Sequence, residues 1–408
     1  MNIILKVWLK LKRVIITLLL IPQLFFVSYQ MAIDKLRGRK IIILYIEELG
    51  FIQYILPIVE SLKKHESFLS YYIATNYKKY DDELSPFNVS KNKIFNPTIS
   101  SWLCLANIFL SASVYGKGPK SAYRVNVSHN FPVKVETYPR DEVIKYDVHF
   151  LTGPTQRDQF ENMFNKFEID IKTVQMLDIG YPKLDDLLNG DYVQENILNE
   201  LGLDAEKPTI LYAPSWDPGA SLRSFGDQLI KELLQMDEVN IIVKLHPVSY
   251  TPESSPNFEF YTGGINWNNK LSKYEHNQNF RNIVEYSLNP FLAASDIMVS
   301  DVSSSALEFI ILDKPVIFVD CPEFFNTTLK KLGQDPDLIR NDVRYNAGRN
   351  AGIVINDLSN LKEAIIRSLN HPHEFSEKRK TLSDQILYNP GKGSITSAQK
   401  ILDLLELN

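Results

Sequence analysis

The sequence predicts an α/β protein built from two Rossmann-like domains that face one another across a cleft. Short apolar runs rich in β-branched residues recur along the chain, helical patterns lie between several of them, and the rhythm restarts near Gly180. Such alternation argues for parallel sheets covered on both faces. With 408 residues the chain is long enough for two units of this kind, each with its own buried sheet.

The first 38 residues precede that pattern. Residues 1–40 hold eight Lys and Arg against Asp34 alone, a local balance of +7, which leaves −12 for the remainder of a chain whose net charge is −5. Between the two basic clusters, Val14 to Ile33 is an apolar stretch of about the ~20 residues a bilayer span needs. Pro22 and Gln23 interrupt it, and no small-residue cleavage site marks it as a removed signal peptide. Positive charge on both flanks fits a helix lying in the cytoplasmic leaflet, with a single-pass anchor as the close alternative. A core helix of the first domain is the weaker option, because such helices rarely stay apolar on every face.

The first domain, residues 39–190, opens on Lys40–Ile46 as a buried strand and continues with a helix from Gln53 to about Lys64. Further strands are expected at Ser70–Ala74, Tyr123–Val127, Val148–Leu151 and Val174–Ile179, with a helix from Gln156 to Phe167. The second domain, residues 191–370, has its strands at Thr209–Ala213, Val239–Lys244, Asp296–Val299, Pro315–Val319 and Gly352–Ile355. Helices are expected over Phe225–Leu234 and Ser303–Leu312, and residues 371–408 read as helices broken at Asn389–Gly393. In open α/β sheets ligands bind beyond the carboxyl ends of the strands, so function belongs in the loops that follow them.

Composition excludes some classes. A net charge of −5 argues against a partner with a nucleic-acid backbone. Cys104 and Cys321 are the only cysteines, too few for a disulfide framework or a zinc cluster.

The strongest local signal is Val299-Ser-Asp-Val-Ser-Ser-Ser-Ala-Leu-Glu308, where a strand ends, small polar residues turn and a helix begins. Backbone N–H groups at that helix start, with the hydroxyls of Ser303, Ser304 and Ser305, suit a phosphate group, and Ser300 and Asp301 belong to the same turn. Glu308, one turn on, suits the hydroxyls of a ribose. An ordinary N-cap is the competing explanation, but a cap needs one such residue and several cluster here. Lys244 and His246, two apart at a strand end, share a face in an extended segment and converge on one anionic group. Ser215, in Tyr212-Ala-Pro-Ser-Trp216, follows the first strand of the second domain, where a loop meets donor phosphate or acceptor. His129 lies just past a strand of the first domain, and imidazole is the side chain best suited to accept a proton near neutrality.

In order along the chain, His129, Tyr146-Asp-Val-His-Phe-Leu-Thr-Gly153, Gly180-Tyr-Pro-Lys-Leu-Asp185, Tyr212-Ala-Pro-Ser-Trp216, Lys244-Leu-His-Pro247 and Ser300-Asp-Val-Ser-Ser304 resemble the CDP-glycerol glycerophosphotransferase family. The resemblance covers roughly residues 120–395, and its most specific parts are the serine cluster and the Gly-Tyr-Pro-Lys-Leu-Asp segment. It implies a glycosyltransferase-B fold, association with the cytoplasmic face of the cell membrane, a CDP-glycerol donor, a lipid-linked acceptor and no cofactor or required metal. It also implies that His129 is the base, that His246 contacts donor phosphate, that Ser303 and Ser304 meet the pyrophosphate, and that Glu308 is near the ribose. Two departures stand out: Asn130 where the family has Gly, and Lys244 where an Arg is common, which exchanges a bidentate fork for a point charge. The long extra domain of the polymerases is not seen, which fits a primase-like or single-addition enzyme.

The expected reaction moves glycerol phosphate from CDP-glycerol to a hydroxyl of a membrane-linked saccharide or polyol-phosphate acceptor in cell-surface polymer synthesis. A glycosyltransferase using a CMP- or UDP-activated sugar is the alternative on the same fold, and a non-catalytic membrane-bound module of a polysaccharide assembly complex is the alternative from another class.

Overall fold

The structure is a computed structural model that describes residues 3–76, 82–129, 131, 138–330 and 349–406, with backbone alone for 3–17 and 329. Seven parallel strands form the first sheet: β1 (Lys40–Ile46), β2 (Leu69–Thr75), β3 (Ile94–Phe95), β4 (Ile108–Ser111), β5 (Tyr123–Val127), β6 (Val148–Leu151) and β7 (Gln175–Asp178). Six parallel strands form the second: β8 (Thr209–Tyr212), β9 (Asn240–Val243), β10 (Phe280–Asn282), β11 (Ile297–Ser300), β12 (Val316–Val319) and β13 (Ile353–Ile355). Their spatial orders are β3-β2-β1-β4-β5-β6-β7 and β10-β9-β8-β11-β12-β13. Each sheet begins in its middle, runs outward to one side, then returns to the centre and runs to the other. That reversal leaves a crevice between β1 and β4 and another between β8 and β11, the places where an open α/β sheet binds its ligand.

Burial explains why the strand sequences are continuous apolar runs. Ile42, Leu44 and Ile46 of β1 pack with Ile55 and Ile58 of helix α2 (Ile52–Ser61), with α1 being the N-terminal helix Ile3–Leu36. The alternate residues Ile41, Ile43 and Tyr45 pack on the other face with Val27 and Met31 of α1 and with Phe109 of β4. Both faces are therefore dry, and every second residue cannot be polar. The second sheet repeats this, with Ile241 and Val243 on one face and Ile242 on the other.

The strands at Lys40–Ile46, Tyr123–Val127 and Val148–Leu151 form as expected, and the others expected from sequence form with shifts of one or two residues at their ends. Three strands were not anticipated: β3, β4 and β10. The helix expected over Phe225–Leu234 is two short pieces, Ser221–Phe225 and Gln228–Leu233, separated at Gly226, whose φ of +59° takes the chain out of helical geometry.

The N-terminal segment needs a larger correction. From Val27 onward α1 is a docked helix of the first unit, with Val27, Met31 and Asp34 buried at spacings of four and three. Asp34 accepts hydrogen bonds from Ser70 Oγ (2.7 Å), Tyr72 OH (2.8 Å) and Lys93 Nζ (2.7 Å). Among the described residues no helix is long and apolar enough to cross a membrane, so the single-pass anchor has no support. The stretch is apolar all round because one side meets protein, while Leu18, Phe25, Tyr29 and Leu36 lie exposed on the other.

The chain ends by returning to the first unit. Tyr388 N–H donates to Thr152 O at 2.7 Å, and a Cβ at Gly180, whose φ is +106°, would sit 2.4 Å from Tyr388 O. Asp185 then accepts from the backbone N–H groups of Gly393 (3.0 Å) and Ser394 (2.6 Å), capping the helix Gly393–Glu406. Ala398, Ile401 and Leu405 of that helix complete the cover over α2 and β1.

Candidate active site

The carboxyl ends of the two sheets share one cavity of about 390 Å³, lined from both sides. That volume lies within the ~300–1,000 Å³ of small-molecule sites. Of the residues singled out in sequence, His129, Ser215, Lys244, His246, Ser303, Ser304, Ser305 and Glu308 all line it.

His129 follows β5 and stands on the first wall. Its Nδ1 lies 2.5 Å from Ala112 O, in the loop after β4. A carbonyl only accepts, so Nδ1 carries the hydrogen and Nε2 holds the basic lone pair. The ring is held against Phe51, centroids 4.8 Å apart, and Tyr181 OH donates to the backbone carbonyl of His129 at 3.1 Å. Asn130, one of the two departures from the family pattern, lies outside the described residues.

The second wall carries donors. His246 Nδ1 accepts the N–H of Val248 at 3.3 Å, so in this ring Nε2 holds the hydrogen. The two histidines are thus fixed in opposite tautomers, one basic at Nε2 and one a donor there. Lys244, at the end of β9, is only 5% exposed. Burial, with the positive charge of Lys183 adding to it, pushes its ammonium down to about 8.

The serine turn is assembled by Asp301. Its carboxylate accepts from Ser215 N (2.9 Å), Ser303 N (3.1 Å), Ser221 N (2.8 Å) and Ser221 Oγ (2.6 Å). Val299 pairs with Tyr212, so the loops after β11 and β8 emerge side by side and one buried carboxylate can bind both. Ser300 Oγ donates to Ala213 O at 2.7 Å. Ser300 and Asp301 therefore stand behind the wall and hold it, and the structure does not bring them to the cavity. Ser303 and Ser305 share a hydroxyl–hydroxyl bond of 2.7 Å, and Ser305 Oγ lies 3.1 Å from Ala213 O. Ser304, at the N-cap of the helix Ser305–Ile310, makes no side-chain capping bond, so capping does not account for it. With six residues that helix has little macrodipole; the cradle is chiefly local N–H groups and hydroxyls.

Glu308 is held by Lys183, a residue whose role sequence alone does not disclose. Lys183 Nζ lies 2.7 and 2.6 Å from its two carboxylate oxygens. Tyr54 and Tyr181, with ring centroids 5.7 Å apart, back this pair and the His129 loop. Trp216 and Glu48 also line the cavity. Lys183 lay in the Gly-Tyr-Pro-Lys-Leu-Asp segment, whose one charged base between apolar neighbours was a signal; Tyr54 was indistinguishable from a helix's apolar face. Among the described residues no group of three or more His, Cys, Asp or Glu is placed to hold a metal ion.

Comparison with known proteins places this geometry. The family model for CDP-Glycerol:Poly(glycerophosphate) glycerophosphotransferase matches residues 126–327. The teichoic acid glycerol-phosphate primase of Bacillus subtilis is 29% identical over 257 residues, covering 61% of this chain and 55% of the primase. The primase of Bacillus spizizenii is 29% identical over 164 residues, covering 40% of this chain and 38% of the primase. The chain thus spans about half the length, or less, of the curated relatives it matches. Among solved structures, the wall teichoic acid polymerase TagF superimposes with a TM-score of 0.66 at 18% identity, over 98% of both chains. UDP-GlcNAc 2-epimerase from Neisseria meningitidis, bound to UDP-GlcNAc, gives 0.55 at 14% identity, over 90% of this chain and 100% of that one. At these identities the likeness is one of fold, an α/β architecture with two parallel sheets. Residues 126–327, which include His129, Lys183, Lys244, His246, the serine turn and Glu308, are thus similar to the CDP-glycerol glycerophosphotransferase family.

Proposed function

We propose that this protein transfers glycerol phosphate from CDP-glycerol to a hydroxyl of a membrane-linked saccharide or polyol-phosphate acceptor, on a glycosyltransferase-B scaffold. The observation that carries it is one cavity with a basic imidazole nitrogen on one wall and a cluster of cationic and N–H donors on the other. The donor's diphosphate rests against Ser303, Ser304 and Ser305, with Lys244 and Nε2–H of His246 on its oxygens. Ser300 and Asp301 support that turn, Ser215 flanks it, and Glu308 accepts from the ribose.

The reaction is an in-line displacement at the β-phosphorus. The acceptor oxygen forms a bond to phosphorus while the bridging bond to the α-phosphate breaks. The acceptor's proton passes to Nε2 of His129, and CMP leaves with the bridging oxygen and its negative charge. Lys244 and His246 stabilise that charge as it develops, the term that usually contributes most in such sites.

The exposed side of α1, with Leu18, Phe25 and Tyr29, would rest on the cytoplasmic leaflet and keep the cavity beside a lipid-linked acceptor, raising its effective concentration. Purified protein incubated with CDP-glycerol and a lipid-linked saccharide is expected to release CMP. Absence of release across saccharide and polyol-phosphate acceptors alike would sink this function.

A further inference from the structure

We propose that Lys183 is the positioning residue of the nucleotide site, setting ribose recognition through Glu308. The proposal rests on the cavity being a cytidine-nucleotide site. Lys183 lies in the segment that leaves the first sheet, and Glu308 lies in the helix after β11, 125 residues away. The side chains of both are buried, 6% and 5% exposed, yet both line the cavity.

Two contacts hold Lys183 independently of Glu308, and the tyrosine in the second is itself packed. Asn289 Nδ2 donates to its backbone carbonyl at 2.5 Å, its ammonium stands 5.9 Å from the Tyr54 ring centroid, and Tyr54 itself packs on Tyr181. The backbone of Lys183 is therefore tied to the helix that begins at Asn289 in the second unit, while its ammonium lies beside Tyr54 of α2 in the first and meets both carboxylate oxygens. A carboxylate has about four lone-pair sites. Lys183 occupies one on each oxygen, leaving the others for hydroxyl donors in the cavity. Two adjacent hydroxyls, as on a ribose, match that spacing.

The pair also divides the cavity's charge. Lys183 is neutralised by Glu308, so Lys244 remains the cation for the diphosphate. Without Lys183, Glu308 would be a buried carboxylate with no counter-charge, which favours protonation and a changed orientation. Lys183 thus acts through Glu308 and touches no reacting atom.

The test uses CDP and 2′-deoxy-CDP as probes, with affinity read by calorimetry on the full chain. Wild type is expected to prefer CDP by about tenfold or more, the size of a hydrogen bond to a charged group. Lys183→Met is expected to bring the two nucleotides within about twofold, with Lys183→Arg keeping more of the preference. The double variant Lys183→Met/Glu308→Gln leaves no unpaired buried charge and so guards against misfolding. It is expected to lose the preference as well and to be no worse than either single variant. Retained preference for CDP in Lys183→Met, or in the double variant if the single one does not fold, overturns the proposal while leaving the nucleotide site intact. Wild type that binds neither nucleotide overturns both.

Discussion

In the proposed mechanism, His129 and Lys244 state the two halves of the chemistry at the level of single side chains. Replacing His129 by Ala removes the basic Nε2, so turnover is expected to fall by ~10²–10⁴-fold with the unfolding temperature little changed. Equal losses of turnover and stability would make His129 a structural histidine. Buried Lys244 is a stability cost that the proposed diphosphate binding explains. Its folded-state ammonium, at about 8, lies below the ordinary lysine value of 10.5, so the unfolded chain binds more protons between those limits. The stability contributed by this position therefore rises with pH through that window, and below pH 8 the cost of the buried charge is present in full. Lys244→Met is expected to raise the melting temperature of the nucleotide-free protein at pH 7 and to weaken CDP binding. The stabilisation should shrink as pH is raised from 8 toward 10.5, and a variant less stable than wild type at pH 7 would contradict this.

At the scale of elements, the apolar runs revealed the strands that carry most site loops, because residues buried on both faces cannot alternate with polar ones. β4 escaped notice: its four residues end in Ser111 and follow a run of short turns, so no periodicity builds up. Yet β4 makes the crevice beside β1 and supplies, through Ala112, the carbonyl that sets the His129 tautomer. The docked side of helix α1 went unseen for a related reason, since hydropathy cannot distinguish a face against protein from one against lipid. Its anchor is Asp34, where burial alone would raise the carboxyl but the bonds from Lys93, Ser70 and Tyr72 hold it below its ordinary value. Asp34→Ala is expected to cost about 1–3 kcal/mol and to speed amide exchange across residues 24–36, with CDP affinity unchanged. Unaltered exchange there would mean that packing by Val27 and Met31 suffices. Gly180→Ala places a Cβ 2.4 Å from Tyr388 O at a φ of +106° and is expected to destabilise by more than about 1 kcal/mol, read by denaturant titration.

For the whole molecule, the restart of the pattern near Gly180 foretold two sheets, and several strand-end motifs line one cavity between them. What joins them could not be read, because Lys183 meets Glu308 across 125 residues; Asp185 meets Gly393 across 208, closing the chain's end back onto the first unit. No local pattern encodes contacts of that span, so the Gly-Tyr-Pro-Lys-Leu-Asp segment stood out in sequence without disclosing that it ties the two sheets together. The proposed membrane contact belongs to this scale too. Binding to vesicles containing anionic lipid is expected to fall at least tenfold in Leu18→Glu/Phe25→Glu, with CDP binding in solution retained. Equal vesicle binding by the variant would place the membrane surface elsewhere. The central claim, that the crevices of two sheets form one site for transfer at a phosphorus atom, is tested most directly by an experimental structure with CDP-glycerol bound. The diphosphate is expected against Ser303, Ser304 and Ser305, with the β-phosphorus turned toward Nε2 of His129 and room for an acceptor oxygen between them. A diphosphate seated away from the serine turn, or a glycerol phosphate pointing away from His129, would contradict it.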